Sequence, residues 1–358
     1  MLLFFVLYDG INHSIFEGQV LQPLLKRFES GFYFKIHIIS FEQTFSEKLT
    51  QLVAGYENSY PALSFSIFKR NRFISSFFLQ NQIHILKTFL SSFSSYHLIA
   101  RGPLAGYLAK HAITFNCLSL TIQARGLLAE EFSYTHRQAP LWKWPFITLR
   151  IWQLRHFEKK AYTPLENSSI PFSIESVSDA LSEYLQTTYN FSKHFFIPAL
   201  FDAPQPIIQT QKSEYAAQVK KELFIDHNAI IYVFNGSLKP WQCPQESIAY
   251  FKKEWLKDNR SFFLALTHET EAMKALIASV ELPTNSFKVL SVLQKDVIRY
   301  LCTAQYGFLL REPHIINWVS RPTKLLEYQA AHIQIIHHNT IALLTMDKLD
   351  KQGHFKRK

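Results

Sequence analysis

Residues 317–328 read NWVSRPTKLLEY, with Lys324 three positions before Glu327. On a helix that spacing puts both side chains on one face. The ammonium is a point charge suited to a phosphate, and the carboxylate is an acceptor-only group suited to sugar hydroxyls. Pro322 fits a first helical turn and Ser320 can cap it, so a helix is expected to open here. A lysine in a first turn opposes the helix dipole, whereas a helix start attracts anions; a phosphate seated there would account for Lys324. An ordinary i,i+3 ion pair on a solvated helix is the other reading of the same two residues.

A second group, YVFNGSLKPWQ at 232–242, leaves an apolar run through Gly236 and Ser237. Lys239 can meet a phosphate there, and Trp241 can stack on a base or close a core. A plain strand-to-helix turn with a solvated lysine explains the stretch equally well. Two arginine–glycine pairs, Arg101-Gly102 and Arg125-Gly126, end successive strand-like segments, LIARGP and LTIQARG. In a parallel sheet they point into one region, where guanidinium groups suit carboxylates or phosphates. Taken singly, each is an ordinary surface arginine.

Other chemistries are excluded by spacing. The fifteen histidines form no HxH or HExxH pattern, and the neighbours His337 and His338 face opposite sides of a strand, so no metal site is expected. There is no GxSxG elbow and no GxxxxGK[ST] loop, which argues against a hydrolase of that fold and a P-loop NTPase. Cys117, Cys243 and Cys302 are far apart and odd in number, which fits a reducing compartment.

The elements that must position these residues alternate along the chain. LLFFVLY, FKIHIISF, ALSFSIF, YHLIARG and CLSLTIQARG read as strands, with helical periodicity between them. A helix is expected over IESVSDALSEYLQTTY, then FFIPALFD and a polar, proline-containing stretch, APQPIIQTQKSE. The alternation restarts with AIIYVFNGS, SFFLALTH, FKVLSV, YGFLLRE and IQIIHH as strands. This predicts an α/β chain of two doubly wound, Rossmann-like domains facing a central cleft. The expected division is 1–202, 203–345 and a basic tail at 346–358, and 358 residues are too many for one ordinary core.

A net charge of +10 favours anionic partners: nucleic acid, acidic lipid or phosphorylated substrates. Two segments interleave aromatic with basic residues, FKRNRFISSFF at 68–78 and LWKWPFITLRIWQLRHFEKK at 141–160. Either could lie on an acidic membrane or stack on single-stranded nucleic acid, or pack as a core helix with snorkelling cations. The apolar start, MLLFFVLYDG, lacks a basic leader and reads as a buried strand; no apolar run approaches the roughly 20 residues of a membrane span.

With these pieces placed, the chain resembles the GT-B-fold glycosyltransferases of family 4 over nearly its whole length. GFLLRE…NWVSRPTKLLEYQAA is similar to that family's G-x-x-L-R…N…P-x-K-x-x-E-Y-x-A-x-G segment. VFNGSLKPWQ resembles the first loop of its C-terminal domain, LTIQARGLLAEE a D-x-R-G-x-x-x-E-E stretch, and FFIPALFD the I-P-N/C-x-V-D signature before the linker. The resemblance implies retaining transfer of a sugar from a nucleotide-diphosphate donor, a UDP- or GDP-sugar, without a bound cofactor or metal. It implies that Glu327 holds the ribose and Lys324 the diphosphate, with Gly236, Ser237 and Lys239 facing phosphate. Pro322 would open the donor helix, and backbone N–H groups of Asn317, Val319 and Ser320 would face the donor. Arg125, with Asp9, Gly10 and Arg101, would line the acceptor side; Arg125, Lys239, Lys324 and Glu327 would serve catalysis.

The chain departs from the pattern at named positions. Val319 stands where many members have a second acid, eight residues before Glu327, with Glu312 further upstream. His332 replaces the glycine after EYxA, Gln334 the following proline, Gln305 an acid, and Gln123 an aspartate. The expected partners are a nucleotide sugar, a glycan or lipid-linked acceptor and an acidic membrane surface at 141–160, with nucleic acid disfavoured. The expected location is the cytoplasm, peripheral on the inner face of the membrane. The alternative is a catalytically degenerate GT-B-like protein that binds an anionic partner or a membrane surface.

Overall fold

A computed structural model describes residues 1–12, 16–71, 75–165, 169–199 and 204–344. The chain divides into two compact units, Met1–Asp202 and Ala203–Lys358. The expected linker start at 203, residues 72–74 of the first basic aromatic segment and the 346–358 tail lie outside the described residues.

The first unit holds a seven-stranded sheet in the order β3-β2-β1-β4-β5-β6-β7. Its strands are β1 Leu2–Leu7, β2 Lys35–Glu42, β3 Leu63–Lys69, β4 Tyr96–Arg101, β5 Cys117–Ala124, β6 Phe172–Ser176 and β7 Phe196–Pro198. Every pair is parallel. β1 is central and covered on both faces, so its run LLFFVL is apolar throughout rather than alternating. The helices between strands are α1 Gln22–Glu29, α2 Glu47–Ser59, α3 Ser76–Ser91, α4 Gly102–Ala112, α5 Leu128–Thr135, α6 Trp144–Tyr162 and α7 Asp179–Tyr189. Ser46 caps α2 by accepting from the Leu49 N–H at 3.2 Å.

One expected helix begins too early. Ile174, Glu175 and Ser176 belong to β6, paired with Ile122, Gln123 and Ala124 of β5. Helical periodicity is genuine only after Ser178, whose hydroxyl accepts from the Leu181 N–H at 3.1 Å. Burial against β5 overrides the local pattern, as tertiary pairing does for short apolar runs.

The second unit carries a five-stranded parallel sheet, β10-β9-β8-β11-β12. Its strands are β8 Ile230–Asn235, β9 Ser261–Leu266, β10 Phe287–Leu290, β11 Tyr306–Phe308 and β12 Gln334–Ile336. The helices are α8 Gln209–Leu223, α9 Pro244–Lys257, α10 Thr270–Ala278, α11 Gln294–Leu301, α12 Ile315–Trp318 and α13 Thr323–Ala330. α8 begins inside the stretch read as linker. Only Val219 and Leu223 of it are buried, too sparse an apolar stripe to signal a helix.

No helix among the described residues is long and apolar enough to cross a membrane.

Candidate functional site

β8 is where the second sheet's strand order reverses, with β9 on one side and β11 on the other. Ligands in such sheets bind beyond the carboxyl ends at this switch point. Gly236 follows β8 at φ +136°, a backbone conformation that side chains strain to reach. A Cβ there would lie 2.1 Å from Lys324 Nζ, so the glycine makes room for that ammonium. Lys324 Nζ donates to Gln242 Oε1, and Gln242 Nε2 donates to Ser237 Oγ at 2.8 Å. The ammonium is also 5.4 Å from the Phe234 ring centroid.

Glu327 is held by two amides: Asn235 Nδ2 donates to one oxygen at 2.7 Å and Gln294 Nε2 to the other at 2.9 Å. No ion pair closes between Lys324 and Glu327, so the solvated i,i+3 pair is not what forms. Tyr328 aims the helix. Its hydroxyl donates to Phe308 O at 3.2 Å, and its ring lies where a side chain on Gly307 would stand.

Arg311, just beyond β11, is only 7% exposed. Among the described residues no carboxylate forms an ion pair with it. Burial pushes its pKa down to about 10. Burial, and then the Arg311 charge, drive Lys324 well below the ordinary lysine value, with Glu327 opposing. Burial raises Glu327, and Gln294, Lys324 and Asn235 counter it. Of the two cations, Glu327 thus acts on Lys324 alone, and the buried Arg311 beside it has no carboxylate among the described residues, leaving positive charge that an anion would neutralise.

Other expected residues are placed differently. The N–H groups of Asn317, Trp318, Val319 and Ser320 are bonded to His314 O, His314 O, Ile315 O and Asn317 O. They cannot face a donor without breaking these bonds, because α12 consumes them. Val319 is fully buried and the Asn317 amide donates to Glu312 O at 2.9 Å. Ser320 does not cap α13: its hydroxyl donates to Asn317 O at 2.8 Å. Pro322 is the residue before α13 rather than its first, with ψ 130°. Lys239 is exposed, 5.4 Å from the Trp241 ring centroid, and no hydrogen bond joins it to Lys324 or Glu327.

In the first unit, order reverses between β1 and β4, and Asp9, Gly10, Arg101 and Arg125 gather at those strand ends. Gly10 sits at φ +87°, where a Cβ would meet Glu42 Oε2 at 2.5 Å. Glu42 accepts from the Ile11 N–H at 2.8 Å and from Ser40 Oγ at 2.7 Å. Arg101 Nε is 3.9 Å from Asp9 Oδ2, and its Nη2 donates to Gln19 Oε1 at 2.8 Å. The buried Glu175 pairs with Arg27, accepts from Gln123 Nε2 at 2.8 Å and lies 3.8 Å from Arg125 Nη2. Burial, then the nearby Arg101 charge, holds Arg125 down at about 10, with Glu175 opposing and Arg27 adding to the fall.

No protein-family model and no curated protein matches the chain. Solved structures do. A glycosyltransferase from Rickettsia africae aligns at TM-score 0.61 and 13% identity, covering 97% of this chain and 82% of that one. WaaG, a glycosyltransferase involved in lipopolysaccharide biosynthesis, aligns at TM-score 0.60 and 11% identity, covering 95% and 82%. The catalytic domain of starch synthase IV from Arabidopsis thaliana, bound to ADP and acarbose, aligns at TM-score 0.58 and 11% identity, covering 99% and 87%. The fold is GT-B.

Within this GT-B chain the departures from the family pattern have local accommodations. His332, at the glycine position, is left-handed with φ +50°. Its ring Nε2 lies 3.0 Å from Ile207 O and its carbonyl accepts from Lys212 Nζ at 3.0 Å, contacts that offset the strain of a side chain there. Gln305 accepts from the Ile231 N–H at 2.7 Å, a bond its amide oxygen can make as well as a carboxylate. Gln123 can donate to Glu175, whereas an aspartate at 123 would repel it.

Arg311, Asn235, Gln242, Gln294, Arg27 and Glu175 were not singled out in the sequence. Arg311 lies inside the YGFLLRE motif, and Asn235 and Gln242 inside YVFNGSLKPWQ, but none of the three was assigned a role there. The others reach their sites from distant elements. A second-unit cavity of about 570 Å³, lined by Asp226, Trp255, Arg260 and Asn285, opens at the amino ends of β8–β10 and contains none of the candidate residues.

Proposed function

We propose that the chain is a retaining glycosyltransferase that moves a sugar from a UDP- or GDP-sugar to a glycan or lipid-linked acceptor. The observation that carries this reading is the buried Arg311 next to the half-buried Lys324, whose only carboxylate among the described residues is Glu327, at the start of α13. A nucleotide diphosphate supplies the missing negative charge, and its ribose hydroxyls can donate to Glu327 in place of an amide. As the glycosidic bond breaks, charge builds on the diphosphate; fixed cations and first-turn N–H groups stabilise it without reorganising. This assigns the leaving group's charge to protein cations, so the reading calls for no resident cofactor or metal. The neighbouring starch synthase holds ADP, which supports a nucleotide partner.

The test is calorimetric titration of the full chain with UDP-glucose, UDP-N-acetylglucosamine and GDP-mannose. One of them is expected to bind, and Glu327→Gln to weaken it about tenfold, the loss of a hydrogen bond to a charged group. If none binds, or if Glu327→Gln binds as wild type does, the donor site is elsewhere.

The same proposal places the protein peripherally on the inner face of a membrane. α6 buries Ile147, Leu154, Phe157 and Ala161, which answers the core-helix reading for one face. Outside that stripe, Trp142 at the helix entry (70%), Phe146 (71%) and Trp152 (65%) are exposed, with Lys143, Lys159 and Lys160 on the same segment, while Arg155 is paired with Glu130 at 2.7 Å. Aromatic rings beside cations suit an acidic lipid surface. In flotation with vesicles of phosphatidylcholine and phosphatidylglycerol, wild type is expected to rise and the Trp142→Ser/Phe146→Ser/Trp152→Ser variant to stay at the bottom. Wild type remaining wholly at the bottom would remove the membrane assignment.

A further inference from the structure

The first unit has a cavity of about 340 Å³ whose wall includes Tyr8, Asp9, Gln43, Arg70, Arg101 and Leu128. It opens where the first sheet's order reverses, and the first residues of α4, from Gly102, form part of it. Arg101 is 7% exposed, yet its guanidinium is held mainly by Gln19 and only loosely, at 3.9 Å, by Asp9. Arg70 donates to Tyr8 O at 2.8 Å and Gln43 Oε1 at 3.1 Å, both neutral acceptors. No carboxylate among the described residues pairs with it.

The surrounding charge does not cancel this. Arg27 and Arg125 stand behind Arg101 and share Glu175. Arg150 of α6 lies close enough to act, with Arg70, on the Tyr8 hydroxyl. Glu42 is committed to Ile11 and Ser40. The carboxylates are Asp9, Glu42 and Glu175; the guanidiniums are those of Arg27, Arg70, Arg101, Arg125 and Arg150. Glu131 also lies near, against Gly126; Arg70, which has only neutral acceptors, and Arg101, held mainly by Gln19, are the cations left to the cavity. Its remaining wall suits a sugar: Leu104 and Leu128 are apolar, and the half-exposed Asp9 can accept from hydroxyls.

We propose that this cavity takes an oxyanion, a phosphate or a carboxylate, carried on the acceptor sugar of the proposed transfer and gripped by Arg70 and Arg101. The inference rests on the transferase reading for the word acceptor, and on this cavity alone for the anion. Guanidinium forks match both anions in shape, so the chemistry is shared and the source is left to experiment.

The full chain is titrated with mannose 6-phosphate, glucuronate and neutral mannose, and separately with UDP to report on the second unit. At least one charged sugar is expected to bind tenfold or more tightly than mannose. Arg70→Gln and Arg101→Gln are each expected to weaken it about tenfold or more. Binding of the phosphate alone assigns a phosphorylated acceptor, binding of glucuronate alone a carboxylated one, and binding of both supports the oxyanion. Equal affinity for mannose, no affinity for either charged sugar, or unchanged affinity in the variants overturns the proposal. Should Arg101→Gln fail to fold, the half-buried Arg70→Gln decides alone. A wild type that binds a charged sugar but no UDP would damage the donor assignment and leave this one standing.

Discussion

Lys324→Met is expected to slow the proposed sugar transfer by about a hundredfold or more, yet raise the melting temperature at pH 7. The first effect follows, on the proposed reading, from removing a fixed positive group next to the donor's diphosphate. The second follows from linkage. Burial and the Arg311 charge depress the folded-state pKa of Lys324, so between that value and the ordinary lysine value the unfolded chain binds more protons. Stability therefore rises with pH through that window, and below it the full penalty of enclosing the ammonium is present. Methionine fills similar volume without the charge. A melting temperature higher by roughly 2–4 °C at pH 7, the shift about 1 kcal/mol produces in a domain of this size, is expected to shrink toward pH 10.5. A lysine with a purely structural role would show the opposite: lower stability with activity retained per folded molecule. Saturating UDP should also stabilise wild type more than the variant, because the ligand supplies the counter-charge only where the ammonium is present.

Gly236→Ala is expected to mimic the loss of Lys324 in donor binding, about a hundredfold, while lowering stability by about 1–3 kcal/mol. The backbone at φ +136° is unfavourable for alanine. The new Cβ would fall 2.1 Å from Lys324 Nζ, 2.4 Å from its Cε and 3.0 Å from Gln242 Oε1, so the ammonium must leave its place. Because the damage runs through one side chain, the two substitutions should not add: in the Lys324→Met background, Gly236→Ala should cost binding little further. A double-mutant cycle on UDP affinity, with folding followed by circular dichroism, measures this. Full additivity, or wild-type affinity in folded Gly236→Ala, would show that the glycine does not serve the ammonium.

Some of this was written locally. Parallel-sheet strands covered on both faces read as continuous apolar runs, so β1, β4 and β9 were visible without any partner in view. Lys324, Glu327 and Gly236 were visible because a helix start and a strand exit each have short-range signals. β6 and α8 failed for opposite reasons. Three β6 residues continue a helical pattern, and α8 is too polar to show one.

By itself the sequence determined the alternating α/β order, the position of the motif that carries Lys324 and Glu327, and the excess of positive charge. Only the tertiary structure decided which groups hold those two side chains. Asn235 of β8, Gln242 before α9 and Gln294 of α11 hold them, and Arg311 beyond β11 acts on Lys324 by its charge; these span almost eighty residues, and parallel strands bring their ends to one edge of a sheet. It also decided that the backbone of 317–320 is spent inside α12, since a hydrogen bond once made locally is not available to a ligand. Distance along the chain carries no information about such convergence, because the crossover helices between parallel strands separate in sequence what they bring together in space.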